Sequence, residues 1–539
     1  MRKTSRVLLS LFILLIMATP VFANQINYQY SSKEVQSLLT LSRLTGTALP
    51  SMTYPVSSEN LKSMLIRIDS SSLSGEALAI YRELWNSLES TKILFGNKEK
   101  EGFDIALPIA LIQMWNNDSS FPYMERNPII SANVDLYLTE YFSAEVDFDF
   151  RAEENNYVDL KNGIKLHSPL SILKDIAHEF PTMAYGSIGN KKLNLTIGRS
   201  RLSAGNGVTG NLEISENLLY QDYAKFSVLS GPISYDFTIL AYDSPDSEIT
   251  AARFNFIDPY KTGYIHRFST VFGKRVSVSL FEGIMTYSNN MLSDIRALNP
   301  FMLIHNTFTY ENGNVNNFFG LEVDASLPYG LNLVLQGFID QVKLGDESEN
   351  SGEPAFAVLG NLKGTWLAGK GILSAYAEYV YVSKYNYLKE LNPPPEMSGS
   401  APSEYYQIDL IAANKYFPVD VEQNYIGYPY GSDSKTFSLG ASYLLDGREY
   451  MFDFRYRVKG EFGIGTHETR AIQKLESHVP DEKTFSISVG SKGNIIKGIE
   501  YLVKAGYSKT TNYNHISGAT NPSPLWFAIS FTIDPTSLK

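Results

Sequence analysis

The chain has 539 residues, 44% hydrophobic and 19% charged, with a formal net charge of -11 and no cysteine. The apolar share excludes a disordered chain, the lack of a basic footprint excludes nucleic acid as a partner, and the absent thiols exclude disulfides, thiolate metal sites and cysteine nucleophiles. Tyr (35) and Phe (30) far outnumber Trp (4), a bias that favours strands.

Residues 1–23 read as a secretory signal peptide. Arg2, Lys3 and Arg6 form a positive start, Val7 to Met17 an apolar stretch, and Val21-Phe22-Ala23 a cleavage pattern before Asn24. The stretch is shorter than the roughly 20 residues that a spanning helix needs. No comparable run follows residue 24, which argues against a helical inner-membrane protein.

Residues 24–100 predict a small periplasmic helical cap. Ser31 and Glu34 have the spacing of a capping box, followed by Val35, Leu38, Leu39, Leu41 and Leu44 at helical intervals. A second helix opens at Ser57–Asn60 and continues through Leu61, Met64, Leu65 and Ile68. A third opens at Ser74-Gly75-Glu76 and runs through Leu78, Tyr81, Leu84, Trp85 and Leu88.

From residue 101 to 539 the period becomes two. In Tyr141–Arg151, the apolar Phe142, Ala144, Val146, Phe148 and Phe150 alternate with Ser143, Glu145, Asp147, Asp149 and Arg151. The same alternation recurs in Pro232–Tyr242, in Phe319–Ala325 around Glu322 and Asp324, and in Tyr450–Val458 around Asp453, Arg455 and Arg457. About 16 to 20 such segments fit, each roughly 9–13 residues long, which suits a tilted span of a bilayer. Tight turn signals join many neighbours: Thr139-Glu140, Gly231-Pro232, Gly273-Lys274, Tyr329-Gly330, Ala368–Gly371 and Asp446-Gly447. Long polar loops lie between the others, near 152–180, 200–220, 243–262, 384–404, 414–435, 460–482 and 509–523. Short turns at one end and long loops at the other are the asymmetry of an outer-membrane barrel.

A soluble sandwich also alternates, so charge must decide. An Arg or Lys on the lipid face costs about 2–4 kcal/mol at midplane, and Asp or Glu somewhat less. Four charges on one strand would cancel most of a domain's net stability. Glu145, Asp147, Asp149 and Arg151 must therefore face an aqueous or ion-paired lumen, with lipid of the outer membrane against the Phe and Val residues. Pro524 to Ile533 is a closing strand with aromatics placed as the barrel-assembly machinery reads them, ahead of a polar tail, Asp534–Lys539.

Three blocks carry a family likeness: Leu38–Ile66, Gly198–Ser215 (GRSRLSAGNGVTGNLEIS), and a third made of His266–Phe268, Leu298–Asn306 and Asn316–Gln341, with Ile426–Lys435 as a weaker echo. Through them the chain resembles the capsule assembly protein Wzi family. The resemblance implies an all-β transmembrane barrel of about 18 antiparallel strands. It also implies periplasmic helices and the binding of capsular polysaccharide, as a lectin and not an enzyme. Where the family has Trp in the Gly-rich loop this chain has Ala204.

Candidate contacts for surface polysaccharide are Arg199, Arg201 and Asn206, at the strand end and Gly-rich loop, and Tyr425, Tyr428 and Tyr430 in a long loop. Arg forks grip carboxylates in two places at once and aromatic faces stack on sugars. The same arginines can instead pair with lumenal carboxylates and lock the loop as a plug. Glu145, Asp147, Asp149, Arg151, Glu322, Asp324, Asp453, Arg455 and Arg457 form the expected lumen charge network. The seven His residues form no HExxH or other metal-ligand spacing, so no metal, cofactor or catalytic residue is assigned. A diffusion porin shares the architecture, with rings of fixed charge selecting solutes. A Ser-His hydrolase is a third reading.

Overall fold

The computed structural model describes residues 25–89, 95–97, 101–106, 109–116, 130–139, 142–152, 157–160, 164–167, 176–177, 181–218, 220–242, 260–288, 315–341, 354–388, 411–416, 420–464, 479–521 and 525–533, with isolated positions 299, 477 and 535. The expected signal peptide lies outside them.

A closed antiparallel barrel dominates. Its first strand, β1, runs as Glu101–Ala106 and Ile109–Asn116, followed by β2 (Ile130–Thr139) and β3 (Phe142–Ala152). Then come β4 (Met183–Gly189), β5 (Leu193–Ser200), β6 (Gln221–Ser230), β7 (Ile233–Tyr242), β8 (Tyr260–Phe272), β9 (Val276–Ser288), β10 (Val315–Ser326) and β11 (Leu331–Gln341). The ring continues with β12 (Ala355–Ala368), β13 (Gly371–Val382), β14 (Ser434–Leu445), β15 (Arg448–Lys459), β16 (Glu482–Ile496), β17 (Ile499–Thr511) and β18 (Leu525–Ile533). β18 closes on β1, with Trp526 opposite Asn116 and Ile533 opposite Ile109. Leaving aside the short strands Phe95–Asn97, Tyr157–Leu160, Ile164–His167 and Ile176–Ala177 in the same sheet, eighteen wall strands are present among the described residues when the two parts of β1 count as one, as the sequence resemblance implies.

Alternation sorts the side chains. In β6, Gln221, Tyr223, Lys225, Ser227 and Leu229 are buried toward the lumen, and Ala224, Phe226 and Val228 lie on the other face. In β9 and β10, Leu280 (54% exposed) faces Leu321 (42%) across the ladder, and the adjoining pair Ser279 and Glu322 is 1% exposed on the inside. The exposed apolar face belongs to the outer wall, and hydrocarbon is the environment that matches it. Because no edge is left, the wall can sit where backbone groups have no water to bind.

The expected turns join β2–β3, β6–β7, β8–β9, β10–β11, β12–β13 and β14–β15, and two further ones join β4–β5 and β16–β17. Asp446 and Gly447 both take positive φ (48° and 71°), as a two-residue hairpin turn of the kind matched to strand twist requires. The strand ends that these eight turns join all lie at one end of the barrel, and the opposite strand ends lead into the long connections.

Helices α1 (Lys33–Thr45), α2 (Ser58–Leu65) and α3 (Gly75–Glu89) sit at the short-turn end, where Ala48 N donates to Lys274 O (2.8 Å) and Arg67 Nη1 to Gly231 O (3.2 Å). Val35, Leu38, Leu41, Leu61, Met64, Leu84 and Leu88 form their common core. The capping box expected at Ser31 and Glu34 is displaced by one residue. Ser32 is the cap, accepting from Val35 N at 3.3 Å, because Ser31 and Glu34 have other partners: Ser31 N donates to Glu216 (3.2 Å) and Glu34 accepts from Ser87 (3.0 Å). Ser57 caps α2 as expected, accepting from Asn60 N at 3.3 Å. Gly46 ends α1 at φ 63°.

Replacing Leu321 by Arg puts a charge on the outer face midway along β10. Urea unfolding in lipid vesicles should show a loss of about 2–4 kcal/mol, whereas Tyr329→Arg, at an exposed turn, should change stability by less than about 0.5 kcal/mol.

Candidate functional site

The lumen is filled from both ends. From the short-turn end, residues 25–31 and 48–57 enter along the inner wall. Asn27 N donates to Tyr185 OH (2.8 Å), which itself donates to Glu145 (2.5 Å); Thr53 N donates to Asp236 (2.8 Å), and Lys225 Nζ to Thr53 O (2.6 Å). From the long-loop end, residues 201–218 between β5 and β6 fold inward. The two intrusions meet as a sheet, Ser203–Ala204 pairing with Thr53–Tyr54, and Ala204 N also donates to Ile214 O at 3.0 Å.

Buried polar groups require partners, and those of this loop come from its own Asn211 and from the wall. Asn211 Oδ1 accepts from Gly207 N and from Gln336 Nε2, each at 2.8 Å, while its amide nitrogen donates to Ser203 (3.0 Å). Glu378 on β13 accepts the backbone N–H groups of Val208 (2.7 Å) and Thr209 (2.9 Å). Gly205 has φ 116°, and a Cβ there would come within 2.4 Å of Gln336 and 2.6 Å of Glu322, so glycine is required on both counts.

The centre of this arrangement is Arg267 on β8, 1% exposed. Its Nη1 bonds Glu213 of the plug; its Nη2 bonds Glu322 of β10 (2.8 Å) and Ser51 of the entering segment (2.6 Å). Glu322 also accepts from Ser51 (2.8 Å), Gln336 (2.7 Å) and Asn206 N (3.2 Å). One guanidinium therefore ties wall, plug and N-terminal segment together. Burial pushes the Glu213 carboxyl up to about 7, with the Arg267 charge pulling it back.

An apolar layer closes the long-loop side of the plug. Leu212, Ile214, Phe281, Phe318, Phe338, Tyr387, Tyr425, Ile426 and Tyr428 pack together, with Tyr387 OH bonded to Leu212 O (2.8 Å) and Ile426 O accepting from Ser215 N (2.9 Å). Tyr425 (6% exposed) and Tyr428 (0%) are thus packing residues, not the surface sugar platforms expected of them. Tyr430 is half-buried: the Arg457 guanidinium lies 4.7 Å from its ring and Arg455 bonds its hydroxyl.

Arg199 also departs from expectation. It belongs to the outward register of β5, beside Ile197 (60% exposed), and there pairs with Asp222 (2.8 Å) and stacks on Tyr220 at 4.0 Å. The alternation of Leu193, Leu195 and Ile197 with Asn194 and Thr196 already carried that signal. Arg201 is half-buried and its charge acts on Glu216. Asn206 is held inside the plug, donating to Asp324 (2.8 Å) and accepting from Lys363 (2.6 Å).

The expected charge network is several clusters. Glu322 belongs to the Arg267 hub, and Asp324 binds Asn206 and Asn332 (2.5 Å). Asp453 accepts from Tyr376 (3.0 Å), and Arg457 pairs with Glu482 (3.1 Å). Glu145 and Asp147 line a separate cavity of about 400 Å³ with Glu34 and Asp135. Asp149 and Arg151 are on β3, but their side chains lie outside the described residues. Arg267, Glu213, Gln336 and Glu378 were not among the expected site residues.

No family model and no curated protein matches the chain. Among solved structures it is similar to Wzi of Escherichia coli, an outer membrane protein involved in group 1 capsule assembly and a carbohydrate-binding β-barrel, with a TM-score of 0.57 at 12% identity over 95% of this chain and 99% of that one. Likenesses to OccAB1 of Acinetobacter baumannii (0.39, 8% identity, 83% and 99% covered) and OccK2 of Pseudomonas aeruginosa (0.40, 9%, 80% and 96%) are too weak to carry an argument. The protein has the fold of an outer-membrane β-barrel and resembles Wzi in it.

Replacing Arg267 by Gln strands two buried carboxylates, and the urea midpoint should fall by the equivalent of about 3–5 kcal/mol. The folded form holds the Glu213 proton more tightly than the unfolded chain does, so the hub is most stable below the ordinary value of 4.5 and weakens as pH rises toward about 7. Thermal unfolding followed from pH 4.5 to 8 should show that decline, and Glu213→Gln should flatten it.

Proposed function

We propose that the protein binds surface or capsular polysaccharide at its long-loop end and helps retain it at the cell surface, acting without catalysis. Its helices then face the periplasm and its closing strand, Leu525–Ile533, is the segment read by the barrel-assembly machinery. The observation that carries the reading is the doubly filled lumen locked by Arg267. A diffusion porin needs a continuous aqueous bore, and such a bore would have to cross the buried layer of Leu212, Phe318, Phe338, Tyr387 and Tyr428.

The upper part of β15 supports the choice of ligand. Arg455 and Arg457 are inward-facing and half-buried at the long-loop end, around the partly open ring of Tyr430, and Lys459 beyond them donates to the carbonyls of Ser432 and Phe462. Guanidinium groups beside an aromatic face suit an acidic glycan, since carboxylates take paired N–H donors and sugar rings take the apolar face. The E. coli barrel described above is itself named as carbohydrate-binding.

Deleting the gene should shift polysaccharide from the cell-bound to the culture-supernatant fraction, and the purified barrel in planar bilayers should pass almost no current. Unchanged retention, or a large steady conductance, would sink the reading in favour of a porin. The double change Arg455→Gln and Arg457→Gln should weaken binding of the cell's own acidic polysaccharide about tenfold, consistent with the loss of one charge-assisted contact.

A further inference from the structure

A second cavity, of about 270 Å³, lies on the opposite side of the plug from the outer mouth. Its lining comes from α1 (Gln36, Arg43), from the plug tip Gly207–Val208, and from parts of β12–β15 near the short turns, among them Lys363, Ser442, Glu449 and Asp453. Tyr30 forms one side, fixed by its hydroxyl on Gly207 O (3.2 Å) and by Gln36 on its own carbonyl (2.7 Å). The volume is that of a site for one sugar-sized molecule, below the range of drug-sized pockets.

Arg43 is the anomaly of this cavity. Other charges around it have partners: Lys363 donates to Asn206 O (2.6 Å), Glu449 pairs with Lys492 (3.0 Å), and Asp453 accepts from Tyr376 (3.0 Å). Arg43 makes one long bond, Nη2 to Thr40 Oγ1 at 3.4 Å within its own helix, and among the described residues no carboxylate lies within ion-pair distance. Burial disfavours its charge, with Asp324 acting only at longer range. A half-buried guanidinium with unused donors, next to a lysine that disfavours a second cation, is costly unless an anion completes it.

We propose that this inner cavity binds a hexuronic acid or a sugar of like chemistry, its carboxylate on Arg43 with Lys363 adjacent and its hydroxyls on Asp453, Glu449 and Ser442. The carboxylate takes the planar fork in two places, and the already engaged acidic residues keep lone pairs free to accept hydroxyl protons. The site opens among short-turn residues, so its ligand arrives from the side opposite the outer loops. It does not depend on polysaccharide binding at those loops.

The test is isothermal titration of the full-length barrel in detergent with glucuronate, glucose and inorganic phosphate as separate arms. Glucuronate should bind in the millimolar range or tighter and glucose at least tenfold more weakly; Arg43→Gln should weaken glucuronate about ten- to hundredfold. Should Arg43→Gln fail to fold, as judged by heat-shifted mobility on gels, Ser442→Phe keeps both cations and blocks the space, and should abolish binding. Equal binding of glucose, tighter binding of phosphate than of glucuronate, no binding of glucuronate at 10-fold above the millimolar range, or full binding by either folded variant would overturn the proposal.

Discussion

The closed hydrogen-bonded ring is the constraint on which the rest depends. In hydrocarbon a backbone amide has no water to turn to, so every wall strand must have two neighbours, and β18 must find β1 across the whole length of the sequence. Once the ring shuts, the period-two pattern has two distinct destinations. Leu280, Phe319, Leu321 and Val489 stay outside as an apolar belt, and Lys225, Asp236, Arg267, Glu322 and Glu378 are confined together inside.

Confinement creates the second problem, which the plug resolves. Charges placed inside a narrow barrel lose much of their water, and they are tolerable only where partners replace it. Here the partners are largely backbone groups from elsewhere in the chain: Thr53 N on Asp236, Val208 N and Thr209 N on Glu378, Asn206 N on Glu322. The loop and the N-terminal segment gain their order from the same bonds. Filling the lumen and satisfying its wall are one event, which is why a barrel of this size need not be a pore. Partial exceptions include the upper rim around Tyr430, the acidic cavity at Glu145 and Asp147, and the inner cavity at Arg43, where polar groups face open space.

Much of this could be read from residue order. Alternation located the wall strands, turn chemistry such as Asp446-Gly447 located the hairpins, and the cost of charge in lipid sent Glu145, Glu322, Asp453 and Arg457 inward. Errors fell where parity or partners decide. Composition groups Arg199 with the Gly-rich loop, whereas the register of Leu193, Leu195 and Ile197 carries it to the outer face. Tyr425 and Tyr428 sit in a stretch with loop composition, and nothing local distinguishes a loop that packs into a barrel from one that stands in water. Arg267 has no local feature that singles it out, since its partners Ser51, Glu213 and Glu322 are each more than 50 residues away.

The sequence by itself determined the barrel, its inside and outside, its two unlike ends and the helices that precede it, because each of these follows from short-range periodicity and from the solvent that each side chain tolerates. Only the tertiary structure decided that the lumen is filled, which carboxylates share Arg267, and that Arg43 is left facing a cavity. Those outcomes depend on which distant groups arrive at the same place when the ring closes, and a charged residue's pattern position states that it needs a partner without stating which one.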